Sequence, residues 1–202
     1  MSSPVRLHIG CGTVYLTDWI NVDLPSPNCF LASERPDLVE RYRATADDYY
    51  ARHKKTIADL RKGPLDQSYV CDRYGSYNFL PVVPGTVDEM LARHSFEHLS
   101  ITEARSALVN LNTVMKLGGE LVLDVPDHEE TLRLYRETGD EFYVRHLLGP
   151  RRNDYGYHCM SFTPERLTTL VQEYGFEFKQ SEPNIHIYPA ICLRFVKLGN
   201  SK

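Results

Sequence analysis

The sequence predicts an α/β fold: a doubly wound, mostly parallel seven-stranded sheet with one antiparallel strand at the C-terminal end, in one domain of 202 residues. Three observations predict it. Short apolar runs, several ending in Gly or an acid, alternate with stretches of helical periodicity, the pattern of parallel strands joined by crossover helices. A glycine turn directly follows the first run. The last two runs are joined by only "EPNIHIYPA" (182–190), too short for a crossover helix and long enough for an antiparallel pair.

Element by element, "VRLHIG" reads as the first buried strand and "WINVDL" as the second, the latter carrying Asp23. A polar, helix-prone stretch over roughly Asp37–Lys62 follows, closed by "GPLD". "SYVCD" is the third strand and "GTVDEML" the fourth. In "ITEARSALVNLNTVMKLGG", Ala104, Leu108, Leu111 and Met115 share one helical face, Ser100 and Glu103 fit a capping box, and Gly118–Gly119 are expected to stop the helix. "ELVLDVP" is the fifth strand. A long irregular or helical region runs from about 127 to 161, where a lid or substrate segment is expected. "FTPERLTTLVQEYG" is a helix capped by Thr163, with Pro164 in its first position and Gly175 as terminator. "FEFKQS" and "ICLRFVKL" are the last two strands.

A net charge of −4 speaks against a chain built to grip nucleic acid. No apolar run approaches the roughly 20 residues of a membrane span, and "MSSPVRLHIG" is not a signal peptide. The five cysteines (11, 29, 71, 159, 192) are scattered, odd in number and without a C-x-x-C pair. They suggest neither a disulfide framework nor a structural zinc site, and a reducing cytoplasm is the expected compartment.

Residues 94–98, His-Ser-Phe-Glu-His, fit the H-x-x-E-H zinc-peptidase pattern. That chemistry needs both histidines on one helical face. The cap at Ser100 starts the helix too late for that and leaves His94–His98 in a strand-to-helix loop, so no metal site is expected. The plain alternative is a helix-entry loop whose Glu97 and His98 bond neighbouring backbone.

"LHIGCGTVYLTDWINVD" carries more. Gly10 and Gly12 follow a strand, and Asp23 ends the next one, where a carboxylate can accept both hydroxyls of a ribose. Only eleven positions separate Gly12 from Asp23, against about twenty in a dinucleotide fold. Little room is left for the helix whose N-terminus would anchor a pyrophosphate. A ligand with ribose and adenine but no phosphate loses less, and S-adenosylmethionine is such a ligand.

At this point the sequence resembles the class I S-adenosylmethionine-dependent methyltransferases, within them a small bacterial branch with a G-C-G turn and a W-x-N-x-D strand. The segments that carry the resemblance are Leu7–Gly12 and Trp19–Asp23, Asp72 with "FLPVVP", "VDEMLARHSFEHLS", "MKLGGELVLDVPD" and "HCMSFTPERLTTLVQEYGF". Two positions depart from the branch: Asp18 stands where glycine often precedes the Trp, and Leu117 replaces the proline before the glycine pair.

The resemblance implies a Rossmann-like domain spanning 1–202 with a helical insertion at about 25–67, serving as substrate wall or dimer contact. It implies S-adenosylmethionine as cofactor, held by Gly10, Cys11 (through its backbone), Gly12, Asp23, Asp72, Arg73, His94 and Ser95. The expected reaction is methyl transfer to oxygen or nitrogen of a small molecule, such as a sugar or secondary metabolite, in a protein able to form a homodimer. A hydroxyl acceptor calls for a base. His158 is the first candidate, beside His94 and Asp127; His128 is also weighed, Tyr155 and Tyr157 can stack on a substrate ring, and Arg151 or Arg152 can meet an anionic one. His8 reads as a core histidine, and "RHKK" (52–55) as a solvated face. The competing readings are a non-catalytic binding module of the same fold, a nucleotide-dependent oxidoreductase and a zinc hydrolase.

Overall fold

The computed structural model describes residues 3–49, 68–149 and 156–199. Its main sheet has seven strands: β1 (Arg6–Ile9), β3 (Ile20–Asp23), β7 (Arg73–Tyr74), β8 (Val87–Arg93), β9 (Met115–Pro126), β10 (Phe176–Ser181) and β11 (Ala190–Lys197). Their spatial order is β10-β11-β9-β8-β1-β3-β7, with only β11 antiparallel to its neighbours. The expected antiparallel strand is therefore present, inside the sheet between β9 and β10. Two small parallel pairs sit beside it: β2 (Tyr15–Leu16) with β5 (Arg43–Ala44), and β4 (Cys29–Leu31) with β6 (Tyr69–Cys71). No helix among the described residues is long and apolar enough to cross a membrane.

Alternation along the strands sorts the two faces. Leu7 and Ile9 of β1, Leu121, Leu123 and Val125 of β9, and Leu193 and Phe195 of β11 share one apolar cluster with two helices. These are α2 (Ile101–Val114) and α5 (Pro164–Gln172), which contribute Ala104, Leu108 and Leu111, and Leu167 and Val171. Each of these Leu, Ile, Val and Phe side chains stabilises by about 1.5–3 kcal/mol on burial. The opposite face carries Val122, Leu91 and Cys192 with Val14, Leu16 and Tyr49, and on it the fully buried polar residues His8, Asn21 and Asp124.

The local end signals hold. Ser100 accepts from the Glu103 amide while Glu103 accepts from the Ser100 amide, closing the capping box of α2. Thr163 caps α5 with Pro164 at its start. Three expectations change. α2 stops at Val114, four residues before Gly118, because β9 begins at Met115 by pairing with Val87; Gly118 (φ 75°) sits within the strand. "SYVCD" forms β6, which pairs with β4 outside the main sheet, and the strand beside β3 is β7, which begins just past that run at Arg73. The helix anticipated from Asp37 is α1 (Pro36–Tyr42), ending where Arg43 turns extended to form β5; residues 50–67, with the "RHKK" face, lie outside the described residues. The expected 127–161 segment holds α3 (His128–Thr138) and α4 (Glu141–Leu148), and Arg151, Arg152 and Tyr155 lie outside the described residues.

Asp18 has φ 65°, in the left-handed region. Aspartate is one of the few residue types besides glycine that tolerate this backbone.

Candidate functional site

The carboxyl ends of β1, β3, β8 and β9 form one edge, and the candidate residues gather there. Gly10 leaves β1 at φ 66°, and its amide donates to Val22 O at 2.9 Å. A Cβ on Gly10 would stand 2.4 Å from the Ser95 Cβ, so only glycine lets this turn approach the loop after β8. Ser95 Oγ in turn donates to Ile9 O at 3.2 Å and accepts from Tyr77 at 2.6 Å. Gly12 differs: a Cβ there would meet nothing within 4 Å, so the turn is open on its outer side. The Gly12 and Leu24 amides donate to the two oxygens of Asp23 at 2.7 and 2.8 Å. Burial raises the Asp23 pKa, and these amides oppose the rise. From Gly12 to Ile20 the chain forms a turn and β2, not a helix.

Asp72 is committed elsewhere, accepting from Tyr15 Oη at 2.6 Å and from the Asn21 amide and side chain at 2.7 and 3.0 Å. Arg73 is exposed and donates to Pro81 O. Cys11 is buried with Cys29 and Cys71, whose sulfurs are 3.6 Å apart; burial, with Asp23 nearby, drives the Cys11 thiol pKa far up. Behind the turn, Asn21 binds Leu16, Trp19, Asp72 and His8, a bracing role the sequence did not single out. Asn21 Oδ1 is an acceptor, so His8 donates to it through Nδ1 at 3.0 Å and accepts from Tyr49 Oη through Nε2 at 2.8 Å. Burial lowers the His8 pKa to about 4, as suits a neutral core histidine.

Six of the eight histidines meet at this edge. His94 lies 4.3 Å from His186 and 6.2 Å from His146, ring to ring; His158 lies 4.9 Å from His98 and 6.3 Å from both His128 and His146. His94, at φ 50°, directs its Nδ1 to Glu97 Oε1 at 3.3 Å and its Nε2 to His186 Nε2 at 3.1 Å. Its side chain therefore faces β9 and the β10–β11 loop, while the next residue, Ser95, faces the glycine turn. Phe96–His98 form one 3₁₀ turn ahead of α2, and His98 donates from Nδ1 to Tyr157 O at 2.8 Å. His94 and His98 thus serve opposite sides of Glu97, and the paired geometry of a zinc peptidase is absent.

Glu97 is fully buried, 3.8 Å from His158 Nε2, and neither of its oxygens has a well-formed hydrogen bond. Burial alone would raise its pKa, but His94, His98 and His158 together hold it below the usual range. Burial likewise works against charge on His94, yet Glu97 and Asp124 outweigh it and raise that pKa. His158 and His146 respond to burial with pKa values lowered to about 4 and about 3. Asp127 accepts from the Glu130 amide at 3.0 Å and caps α3, which begins with His128.

Asp124 and His186 were not singled out from sequence. Asp124 had a signal, a lone acid inside the apolar run "LVLDVP", since a buried charge requires partners. His186 had none, because its loop is brought there by the pairing of β11 with β9.

No protein-family model matches the chain, and no curated protein sequence matches it. Solved structures do match over nearly its whole length. A methyltransferase dependent on S-adenosylmethionine from Methanosarcina mazei superposes with a TM-score of 0.56 at 16% identity, over 96% of this chain and 92% of that one. The Burkholderia thailandensis 1,6-didemethyltoxoflavin N1-methyltransferase, solved with its substrate and S-adenosylhomocysteine, gives 0.55 at 15% identity, over 97% and 72%. A possible histamine N-methyltransferase from Thermotoga maritima gives 0.52 at 17% identity, over 98% and 83%. The chain has the fold these S-adenosylmethionine-dependent methyltransferases share.

Proposed function

We propose that the protein is an S-adenosylmethionine-dependent methyltransferase acting on an oxygen or nitrogen of a small molecule. The observation that carries this reading is the open Gly10–Gly12 turn bound to Asp23 across adjacent strand ends of that sheet. Each Asp23 oxygen accepts one amide and keeps a further lone pair, so the carboxylate suits a ribose diol. The space outside Gly12 suits a ligand lying against backbone. The lack of a helix after the turn favours a ligand without pyrophosphate and speaks against an oxidoreductase.

When bound, S-adenosylmethionine supplies an electrophilic methyl group. The chain's part is to place the acceptor, exclude water and take up a proton. His158 fits the role of proton acceptor. It is neutral through the physiological range, its side chain is 6% exposed, and buried Glu97 stands ready to stabilise the imidazolium. Asp127 is given no proton-transfer role, since its carboxylate caps α3; Asp72 braces the turn through Asn21 and Tyr15.

Isothermal calorimetry with S-adenosylmethionine and S-adenosylhomocysteine tests the reading. Both bind the wild type, and Asp23→Asn weakens binding about tenfold or more, the loss of a charged acceptor. Absence of binding by folded wild type at millimolar ligand sinks the proposal. His158→Gln keeps cofactor affinity and lowers kcat by about 10²-fold or more once an acceptor is known; an unchanged kcat removes His158 from the mechanism.

A further inference from the structure

The histidine cluster contains a set of groups that methyl transfer does not require. β8 and β9 are parallel neighbours with Arg93 opposite Asp124, and β11 runs antiparallel to β9 with Cys192 opposite Asp124. That topology stacks three positions far apart in sequence: His94 just past β8, Asp124 near the end of β9, and His186 on the loop that enters β11. Their ligand atoms all lie within 4.8 Å of one another. His94 Nε2 and His186 Nε2 are 3.1 Å apart, His186 Nε2 is 2.8 Å from Asp124 Oδ2, and His94 Nε2 is 3.8 Å from Asp124 Oδ1. For metal–ligand bonds of 2.0–2.1 Å, tetrahedral geometry separates neighbouring ligand atoms by about 3.3 Å.

We propose that His94, Asp124 and His186 form a binding site for one divalent first-row transition ion, of the Zn²⁺ type, with an open coordination position. Two further observations support it. Asp124 is fully buried, yet Oδ1 has no hydrogen-bond partner among the described residues; Arg93 and His186 both engage Oδ2. A proton shared between the two imidazoles satisfies their close approach but leaves Oδ1 unserved at 3.8 Å, whereas a cation bound by Oδ1 resolves both. Second, His94 turns Nδ1 to buried Glu97, the carboxylate–histidine arrangement that fixes a ligating imidazole with its other nitrogen toward the metal. The guanidinium of Arg93, 2.6 Å from Oδ2, opposes a cation, and Glu97 adds the second negative charge that offsets it. Two nitrogens and one carboxylate suit Zn²⁺, Fe²⁺ or Co²⁺ better than Mg²⁺ or Ca²⁺, which prefer oxygen alone. Two buried ligands and His94 at 17% exposure leave the remaining position on the His94 side. If the methyl-transfer reading holds, an ion there would bind the acceptor oxygen and lower its pKa, leaving His158 outside the ligand set.

The test uses full-length protein stripped with a chelator and titrated with Zn²⁺ alone against a chromophoric competitor. One equivalent binds the wild type, His186→Gln and Asp124→Asn lose stoichiometric binding while retaining the wild-type circular dichroism, and Glu97→Gln weakens it about 10- to 100-fold. No stoichiometric binding overturns the proposal. So does binding that survives His186→Gln and Asp124→Asn, including binding lost instead in His98→Gln or His158→Gln, which would move the ion to the Glu97–His98–His158 side. Should the ligand variants fail to fold, Co²⁺ decides: intense visible bands of a four- or five-coordinate ion that persist in His98→Gln support the site, and weak octahedral bands, or bands lost in His98→Gln, overturn it. Cofactor binding is read separately by calorimetry, so loss of one reading leaves the other standing.

Discussion

Asp18 and His8 show how single residues record what the backbone and core demand. Asp18 holds φ 65° in the turn leading to β3, a conformation that costs a side-chain-bearing residue about 1 kcal/mol relative to glycine. Asp18→Gly is therefore expected to raise stability by about 0.5–1 kcal/mol, less whatever freedom glycine adds to the unfolded chain. Chemical denaturation reads it as a higher midpoint, and a lower one refutes the strain argument. His8 is neutral and enclosed, its pKa lowered from 6.5 to about 4 by burial. Above pH 6.5 neither state takes up this proton; between there and about 4 the unfolded chain binds it and the folded chain does not. Stability then falls as pH falls, by about 3 kcal/mol in total from this group. His8→Phe should flatten that portion of the stability–pH curve, and an equal slope in both proteins would show that His8 is not the group responsible.

The elements are set by their ends as much as by their faces. α2 starts where Ser100 and Glu103 exchange hydrogen bonds, and this start keeps Phe96–His98 off the helix and splits His94 from His98. Ser100→Ala should cost about 1 kcal/mol, seen as a shift of the urea midpoint with an unchanged slope. A changed slope would mean that the cap controls more than the helix end. β9 shows the converse: its tertiary pairing with Val87 takes Met115 out of the helical face that periodicity assigns to it. Local pattern marked the helix correctly, and the neighbouring strand decided where it ended.

Across the whole molecule, what could be read in advance was what is encoded locally. The strand runs and the caps at Ser100 and Thr163 rest on residues within a few positions of one another, and Asp23 lies eleven positions from the glycine turn that it binds. The histidine cluster and the β4–β6 pair do not. His94, Asp124, His158 and His186 come from three loops and a strand, and only strand order brings them within reach. Asp72 is instructive in between: its position past the third strand run was legible, its partners Tyr15 and Asn21 were not.

That strand order also constrains how the chain is made. β11, the latest strand in the sequence, lies between β9 and β10 rather than outside them, and it supplies Ile191, Leu193 and Phe195 to the main core. Synthesised from the N-terminus, β9 and β10 must both wait with unpaired edges until β11 emerges to join them. During that interval Asp124 and the His186 loop have no fixed relation, so the cluster at the strand ends is among the last parts of the molecule to assemble.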